Sequence, residues 1–347
     1  MKIFALESSC DESSLAFLDG DGRTFPFERT ISQAALHGVH GGVVPELATA
    51  AHLEAFPKLW HALRTEWPST TPDLVAVTVG PGLAGGLAIG LAAARTAGLA
   101  FGCPVVGVNH LHGHAFSPFL PPWQAGGSTT TVENWLPHLG LLVSGGNTLL
   151  FRIEKKDLSL TRLAGTVDDA AGEALDKGAR LLGIPYPGGA GLERLAREGN
   201  PHAYPFPVAF GARRDVQFSF SGLKTSLRRR LDSMAAAEVA RERANLCASY
   251  QWAVISALLA RVRHEVERFP HGSIGLSGGV SQNALLRDGM EAIAADHATP
   301  LLLVPARYCG DNASIIALAA LLDPAHTISC PMDIYPKLPL GQLNAFS

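Results

Sequence analysis

The sequence predicts a mixed α/β protein made of two similar lobes around a cleft. Three observations carry this. Apolar strand runs alternate with helical stretches along the whole chain. A unit of strand, polar or glycine turn, strand occurs twice, at Lys2–Leu18 and at Leu139–Ile153. The turns Gly80-Pro81-Gly82, Ser144-Gly145-Gly146 and Ser277-Gly278-Gly279 follow directly on buried-strand runs, where an open α/β sheet offers backbone amides to a phosphate.

Length and composition agree. The 347 residues correspond to about two domains of roughly 100–200 residues each. An apolar fraction of 47% supports sizeable cores, and 17% charged residues lies below the roughly 25% usual for soluble domains. Thirty-six glycines point to tight turns and close helix contacts, and the mixture argues against disorder or a coiled coil.

The elements follow in order. Lys2–Leu6 reads as a strand that stops at the polar turn Glu7–Glu12, and Ser14–Leu18 resumes it as a hairpin. Pro45-Glu46 opens a helix that continues to about Leu63. Leu74–Val79 is a buried strand followed by a glycine-rich helix, and Val105–Val108 is a further strand. The stretch from Pro121 to Glu133, rich in Pro, Gly, Ser and Thr, reads as a lobe boundary or an exposed excursion. Leu139–Val143 and Leu149–Ile153 repeat the hairpin; Ser273–Leu276 and Leu301–Val304 are buried strands, and Asp311–Leu322 is the last helix.

Five scattered cysteines without a C-x-x-C pair argue against a disulfide framework and for reduced, cytoplasmic thiols. The N-terminus enters a strand at once, without a basic segment and a long apolar run. Leu83–Phe101 is the most membrane-like stretch, interrupted by Arg95 and Thr96; its glycines fit a helix packed closely on a neighbour, and no membrane partner is expected. A net charge of −3 sets up no global basic field for nucleic acid. Locally the picture differs. Between Gly211 and Arg230 stand Arg213, Arg214, Lys224, Arg228, Arg229 and Arg230 against Asp215 alone, a local +5, with Phe218 and Phe220 interleaved. Such a stripe suits a phosphate backbone and unstacked bases, and equally a solvated helix face.

The sharpest chemical signal is His110-Leu111-His112-Gly113-His114. On a helix His110 and His114 share one face, the arrangement a single metal ion needs; three surface histidines are the bland alternative. A metalloprotease reading fails, because the position after the first histidine is Leu111 where H-E-x-x-H supplies the general base. Asp311, at the start of the last helix, is a third ligand or an N-cap. Asp168, Asp169 and Glu173 favour the positive start of a helix, and Asp176 beside the glycine-rich turn Pro185–Gly189 suits a ribose hydroxyl.

Together these residues resemble the TsaD family of tRNA threonylcarbamoyladenosine synthase subunits, once described as glycoprotein endopeptidases. The resemblance rests on Leu6–Ser13, Gly41–Ala48, Gly80–Leu83, Gly107–His114, Leu142–Gly146, Asp168–Lys177, Pro185–Gly189, Phe218–Thr225, Gly278–Val280 and Asp311–Ala313, in order over about nine tenths of the chain. It implies the actin, sugar-kinase and Hsp70 type of fold, with duplicated RNase H-like lobes around a nucleotide cleft. The expected lobes are residues 1–112 with 312–335, and 113–311 with a helical insertion, followed by a tail at 336–347.

The resemblance also implies transfer of the threonylcarbamoyl group of threonylcarbamoyl-AMP to N6 of adenosine 37 in tRNAs reading ANN codons. It implies one divalent metal ion, iron(II) or zinc, on His110, His114 and Asp311. Nucleotide contacts are implied at Val143, Ser144, Gly145, Gly146, Asn147, Asp176, Gly189 and Asn283. Implied partners are tRNA and TsaB-like and TsaE-like proteins, and the small-residue helix Gly85–Gly98 is expected to offer a close-packed face to the TsaB-like one. No catalytic base is assigned; Asp11 and Glu12 qualify by position only. Asn147 stands where the family usually has His, Gly310 where Thr is common, and His112 where Glu is usual; the loop at Pro121–Glu133 is longer than expected. The rival reading is a non-catalytic or ATP-hydrolysing paralogue acting as a scaffold.

Overall fold

A computed structural model of the chain describes residues 1–67, 71–126, 132–208 and 217–341. Arg213, Arg214 and Asp215 of the basic stretch, part of the loop at Pro121–Glu133 and the end of the expected tail lie outside them. The chain divides into two compact units. The first comprises Met1–Asn134, Lys156–Leu160 and Val304–Ser347, the second Trp135–Lys155 and Thr161–Leu303.

The sheet of the first unit runs β11-β5-β4-β1-β2-β3. Strands β1 (Lys2–Glu7), β2 (Glu12–Asp19) and β3 (Thr24–Ser32) form an antiparallel meander. β4 (Leu74–Gly80) and β5 (Val105–Asn109) join it in parallel, and β11 (Ile328–Ser329) closes the edge. The sheet of the second unit runs β10-β9-β6-β7-β8: β6 (His138–Val143) and β7 (Thr148–Ile153) are antiparallel, β8 (Leu160–Gly165) flanks β7, and β9 (Ser273–Ser277) and β10 (Leu301–Leu303) extend the sheet in parallel from β6. In strand number within each unit both orders read third, second, first, fourth, fifth. This is the duplication expected from the repeated hairpin, carried through five strands of each sheet; β11, the sixth strand of the first, has no counterpart in the second.

The strands form where fully apolar runs allow burial on both faces: Ile3–Leu6, Val75–Val77 and Leu139–Val143, apart from Gly140, are buried core. Helix α1 (Ala34–Gly38) is a single short turn, and α2 (Pro45–Glu66) carries the predicted proline in its first turn, where a missing N–H leaves no bond unmade.

Helix α3 (Ala84–Phe101) has a mean hydropathy of 1.4 over 18 residues, long and apolar enough by composition to cross a membrane. Its glycine face is already occupied by the unit's own chain. A Cβ on Gly86 would strike the Ser8 carbonyl and the His52 ring, one on Gly90 the Ser8 hydroxyl, and one on Gly98 the Val105 side chain. The glycines of Gly85–Gly98 are thus used within this unit, where they let α3 sit against the Ser8 turn and α2, while Ala84, Ala88, Ala92 and Leu99 of the same helix face outward.

The boundary expected between residues 112 and 113 falls within helix α4 (His110–Phe116), which packs on the last helix. Gly113 permits this packing, since a Cβ there would lie 2.7 Å from Ile316 Cδ1. The loop at Pro121–Glu133 begins within a further short helix, α5 (Leu120–Gln124). The second unit then carries α6 (Ala171–Leu181), α7 (Gly188–Ala196), α8 (Ser221–Asp232), α9 (Ala236–Arg268) and α10 (Ala284–Asp296), and the chain returns to the first unit for α11 (Ala313–Leu322).

Candidate metal centre

The end of β5 leads straight into α4. Asn109 makes the junction: its side-chain oxygen accepts from Leu111 N at 2.8 Å, capping the helix, and its amide donates to the Pro339 carbonyl at 3.0 Å. His110 is thereby the first helical residue and His114 lies one turn on, with ring centroids 4.8 Å apart. Asp311 comes from just before α11. It is not the N-cap of that helix; Asn312 holds that place, accepting from Ile315 N at 3.2 Å. With capping done by its neighbour, the Asp311 carboxylate meets both histidines. Its Oδ1 lies 3.0 Å from His114 Nε2 and 3.5 Å from His110 Nε2. The three ligand atoms lie within 4.8 Å of one another.

Glu7, at the end of β1, completes the arrangement and was not singled out from sequence. It is fully buried. Its Oε2 lies 3.0 Å from His110 Nδ1 and accepts from Thr78 Oγ1 at 2.5 Å, while Oε1 accepts from Ser9 N at 2.6 Å. Ser9 Oγ also lies 3.2 Å from His110 Nδ1. A carboxylate on one imidazole nitrogen fixes ring and tautomer so that the other faces outward as a ligand. The sequence signal was available: a glutamate ending an apolar strand run must find a partner when buried.

The electrostatics follow. Burial alone would lower the His110 pKa, but the charges of Asp311 and Glu7 and the Glu7 hydrogen bond raise it to about 9. Burial would raise Asp311, yet the charge of His110 and the hydrogen bond and charge of His114 hold it at about 2. For Glu7, too, the opposition of burial by His110 leaves the carboxyl below its ordinary range. The buried Glu7 and part-buried Asp311 carboxylates and two imidazoles, neutral once deprotonated, carry a formal −2 that one divalent cation cancels. The His, His, Asp donor set fits such an ion. Burial, with the negative charges of Asp311 and Asp11, pushes Glu12 up to about 9.

A buried polar network supports the turn that carries Glu12. His52 Nδ1 lies 2.7 Å from Ser13 Oγ and His52 Nε2 3.1 Å from the Cys10 carbonyl, while Gln33 Oε1 lies 3.1 Å from His37 Nε2.

The expected nucleotide residues all lie in the second unit. Ser144–Asn147 is the tight turn from β6 to β7, closed by Ser144 N to the Asn147 carbonyl at 2.8 Å and Asn147 N to Ser144 Oγ at 3.1 Å. Val143 is core, while Gly145 and Gly146 are exposed, with open space where side chains would stand. The start of α6 is pressed against this turn, since a Cβ on Gly172 would strike the Ser144 carbonyl. Asp176 Oδ1 accepts from Gly189 N at 2.7 Å at the start of α7. Asn283 caps α10, accepting from Leu286 N at 3.1 Å, and donates to Gln251 Oε1 at 3.2 Å.

Two sequence expectations change here. Asp168 and Asp169 lie before α6 rather than in its first turn. Asp168 instead caps α8, accepting from Ser219 Oγ at 2.5 Å, Ser221 Oγ at 2.8 Å and Phe220 N at 2.8 Å, while Asp169 pairs with Lys177 at 2.7 Å. The aromatic half of the basic stripe is core. Phe218 and Phe220 are 2% and 1% exposed, which removes them as platforms for bases.

The model of the TsaD family, tRNA N6-adenosine threonylcarbamoyltransferase, matches residues 27–318. The chain belongs to the TsaD family. A protein of that name from Pelobacter propionicus is 40% identical over 338 residues, covering 96% of each chain. Relatives of the same name from Anaeromyxobacter dehalogenans and Moorella thermoacetica are 43% and 41% identical over 322 and 347 residues, covering 92% and 98% of this chain and 92% and 97% of theirs. Family membership makes the chain a transferase.

Solved structures similar at low identity show the fold alone. HypF of T. kodakarensis superposes with a TM-score of 0.59 at 13% identity over 92% of this chain and 47% of that one. Component A of the (R)-2-hydroxyglutaryl-CoA dehydratase of Acidaminococcus fermentans gives 0.51 at 12% over 93% and 96%. The two-lobe α/β fold of the actin, sugar-kinase and Hsp70 type is thus borne out.

Proposed function

We propose that this chain moves the threonylcarbamoyl group of threonylcarbamoyl-AMP to N6 of adenosine 37 in tRNAs reading ANN codons, releasing AMP. The observation that carries the reading is the convergence of His110, His114 and Asp311 on one point, braced by Glu7, in a member of the TsaD family. The N6 nitrogen forms its bond to the carbamoyl carbon as the bond from that carbon to the phosphate oxygen breaks, and one N6 proton is lost.

His110, His114 and Asp311 would hold one divalent ion. Two histidines and one carboxylate suit iron(II) first and zinc second. When bound, such an ion polarises an acyl or phosphoryl oxygen as a Lewis acid. Glu7 orients the His110 ring, and Thr78 and the Ser9 amide orient Glu7. In the second unit the exposed turn Ser144-Gly145-Gly146-Asn147 would take the nucleotide together with Val143, Asp176, Gly189 and Asn283. The spare surface over both turn glycines supports this. Asn147 supplies a donor and an acceptor that do not titrate near neutral pH.

TsaB-like and TsaE-like proteins are the proposed partners, and the cytoplasm the proposed compartment, with no membrane involved. Mass spectrometry of nucleosides tests the reading, using tRNA incubated with this protein, threonylcarbamoyl-AMP and those partners. Threonylcarbamoyladenosine should accumulate with the parent protein and fall to background with His110→Ala, whose purified form should also have lost its metal. Unmodified tRNA with the parent, or full activity in a metal-free His110→Ala protein, would overturn it.

A further inference from the structure

We propose that the outer face of α8 is a contact for the phosphate backbone of tRNA, made by Lys224, Arg228 and Arg229; the proposal rests on the tRNA reading above. The helix buries Leu223 and Leu227 on its inner side and leaves Arg228 and Arg229 exposed and Lys224 half-buried. Lys224 and Arg228 are one turn apart, about 6 Å along the axis, and Arg229 adjoins them. The only carboxylate within α8 is its last residue, Asp232.

Exposed Arg29, Arg197, Arg241 and Arg263 each have a carboxylate within 4 Å. Among the described residues none of Lys224, Arg228 and Arg229 has one, and Arg230 lies over the Tyr204 ring at 5.5 Å. Several other cations among these residues, such as Lys58, Arg64 and Arg95, also stand without an ion pair; what sets α8 apart is that three such cations fall within six residues of one helix. Adjacent cations without counter-charges repel one another, and a polyanion relieves that repulsion while releasing its own counterions.

The geometry also restricts the mode of contact. The start of α8 is filled by the Asp168 carboxylate, so a phosphate meets the side-chain cations rather than the helix end. With Phe218 and Phe220 in the core, no ring of that motif stacks on a base. The contact is therefore with the backbone and independent of base sequence.

The test is a salt titration of tRNA affinity by fluorescence anisotropy, comparing the full chain with a triple Lys224→Gln, Arg228→Gln, Arg229→Gln variant and a charge-keeping Lys224→Arg, Arg228→Lys, Arg229→Lys variant. Each phosphate contact contributes about 0.7–0.9 to the slope of log affinity against log salt. The neutral triple should lower that slope by about 2 and weaken binding about 10²-fold near 0.1 M salt, equally for an unrelated RNA of the same length. The charge-keeping variant should retain the parent slope, and both should melt with the parent.

A parent that binds tRNA with a slope the neutral triple leaves unchanged overturns the proposal and leaves the tRNA reading standing. A parent that neither binds nor modifies tRNA overturns both. Loss of affinity for polyglutamate with RNA binding intact assigns the face to an acidic protein and overturns it as well.

Discussion

Replacing Glu7 by Gln tests how the metal centre is built, because only one atom changes. In the parent, Oε1 accepts from Ser9 N at 2.6 Å and Oε2 from Thr78 Oγ1 at 2.5 Å, with His110 Nδ1 at 3.0 Å. The Ser9 amide can only donate, so the glutamine oxygen must take the Oε1 place and its NH₂ the Oε2 place. Thr78 can turn its hydroxyl to accept. His110 can accept only by moving its proton to Nε2, the nitrogen that faces Asp311 at 3.5 Å. The ligand lone pair is then lost unless the NH₂ is left unmatched. Such outer-shell changes lower metal affinity about 10–100-fold, or about 1.4–2.7 kcal/mol. Competition with a chromogenic chelator at neutral pH, using zinc as probe, reads this directly, with circular dichroism verifying the fold. A zinc affinity within about twofold of the parent would refute the assignment of Glu7 as the group that orients His110.

Three further outcomes follow from the packing. Gly90→Leu forces the Ser8 hydroxyl from its 3.0 Å bond to the Gly86 carbonyl and overfills the contact, so stability should fall by at least about 2 kcal/mol in urea melts; a variant as stable as the parent would mean that α3 does not sit against the Ser8 turn as described. His138 is buried with Nδ1 2.7 Å from Ser273 Oγ, and burial followed by His271 pushes its pKa down to about 3. The unfolded ring binds a proton below about pH 6.5 and the folded one does not, so this stability is present above pH 6.5 and lost as pH falls toward 3, by about 2 kcal/mol between pH 7 and 5. His138→Asn should flatten that part of the profile, and parallel profiles would contradict it. Asp168→Ala strips the start of α8 of its cap at a cost of about 1 kcal/mol, and amide exchange should quicken in α8; unchanged exchange there would contradict the capping role.

Much of the architecture is legible along the chain because it is written in local periods. Apolar runs mark strands such as β1, β4, β6 and β9, and Pro45 marks the start of α2, whereas β3 and β8, of mixed polarity, carry no such mark. The pair His110 and His114 is equally local, since one helical turn brings i and i+4 together. Contacts without such a period are less legible. Asp168 precedes a helix in sequence, yet its carboxylate bonds lie about fifty residues on, at the start of α8. The glycines of α3 spell close approach to some helix or strand, but composition does not tell a neighbour in the same chain from one in another. Phe218 and Phe220 alternate with serines as an exposed stacking pair would, and burial decides otherwise.

What the sequence by itself determined is the duplicated sheet, the paired histidines and the family, all properties of spacing or of motif order. Tertiary structure alone decided that Asn312 rather than Asp311 caps α11, that Asp311 thereby meets His110 and also His114, the latter across 197 residues of chain, and that Glu7 stands behind the His110 ring. The reason is physical: a helix or strand repeat constrains neighbours a few residues apart, whereas a buried charge takes its partner from whichever segment the fold brings within about 3 Å.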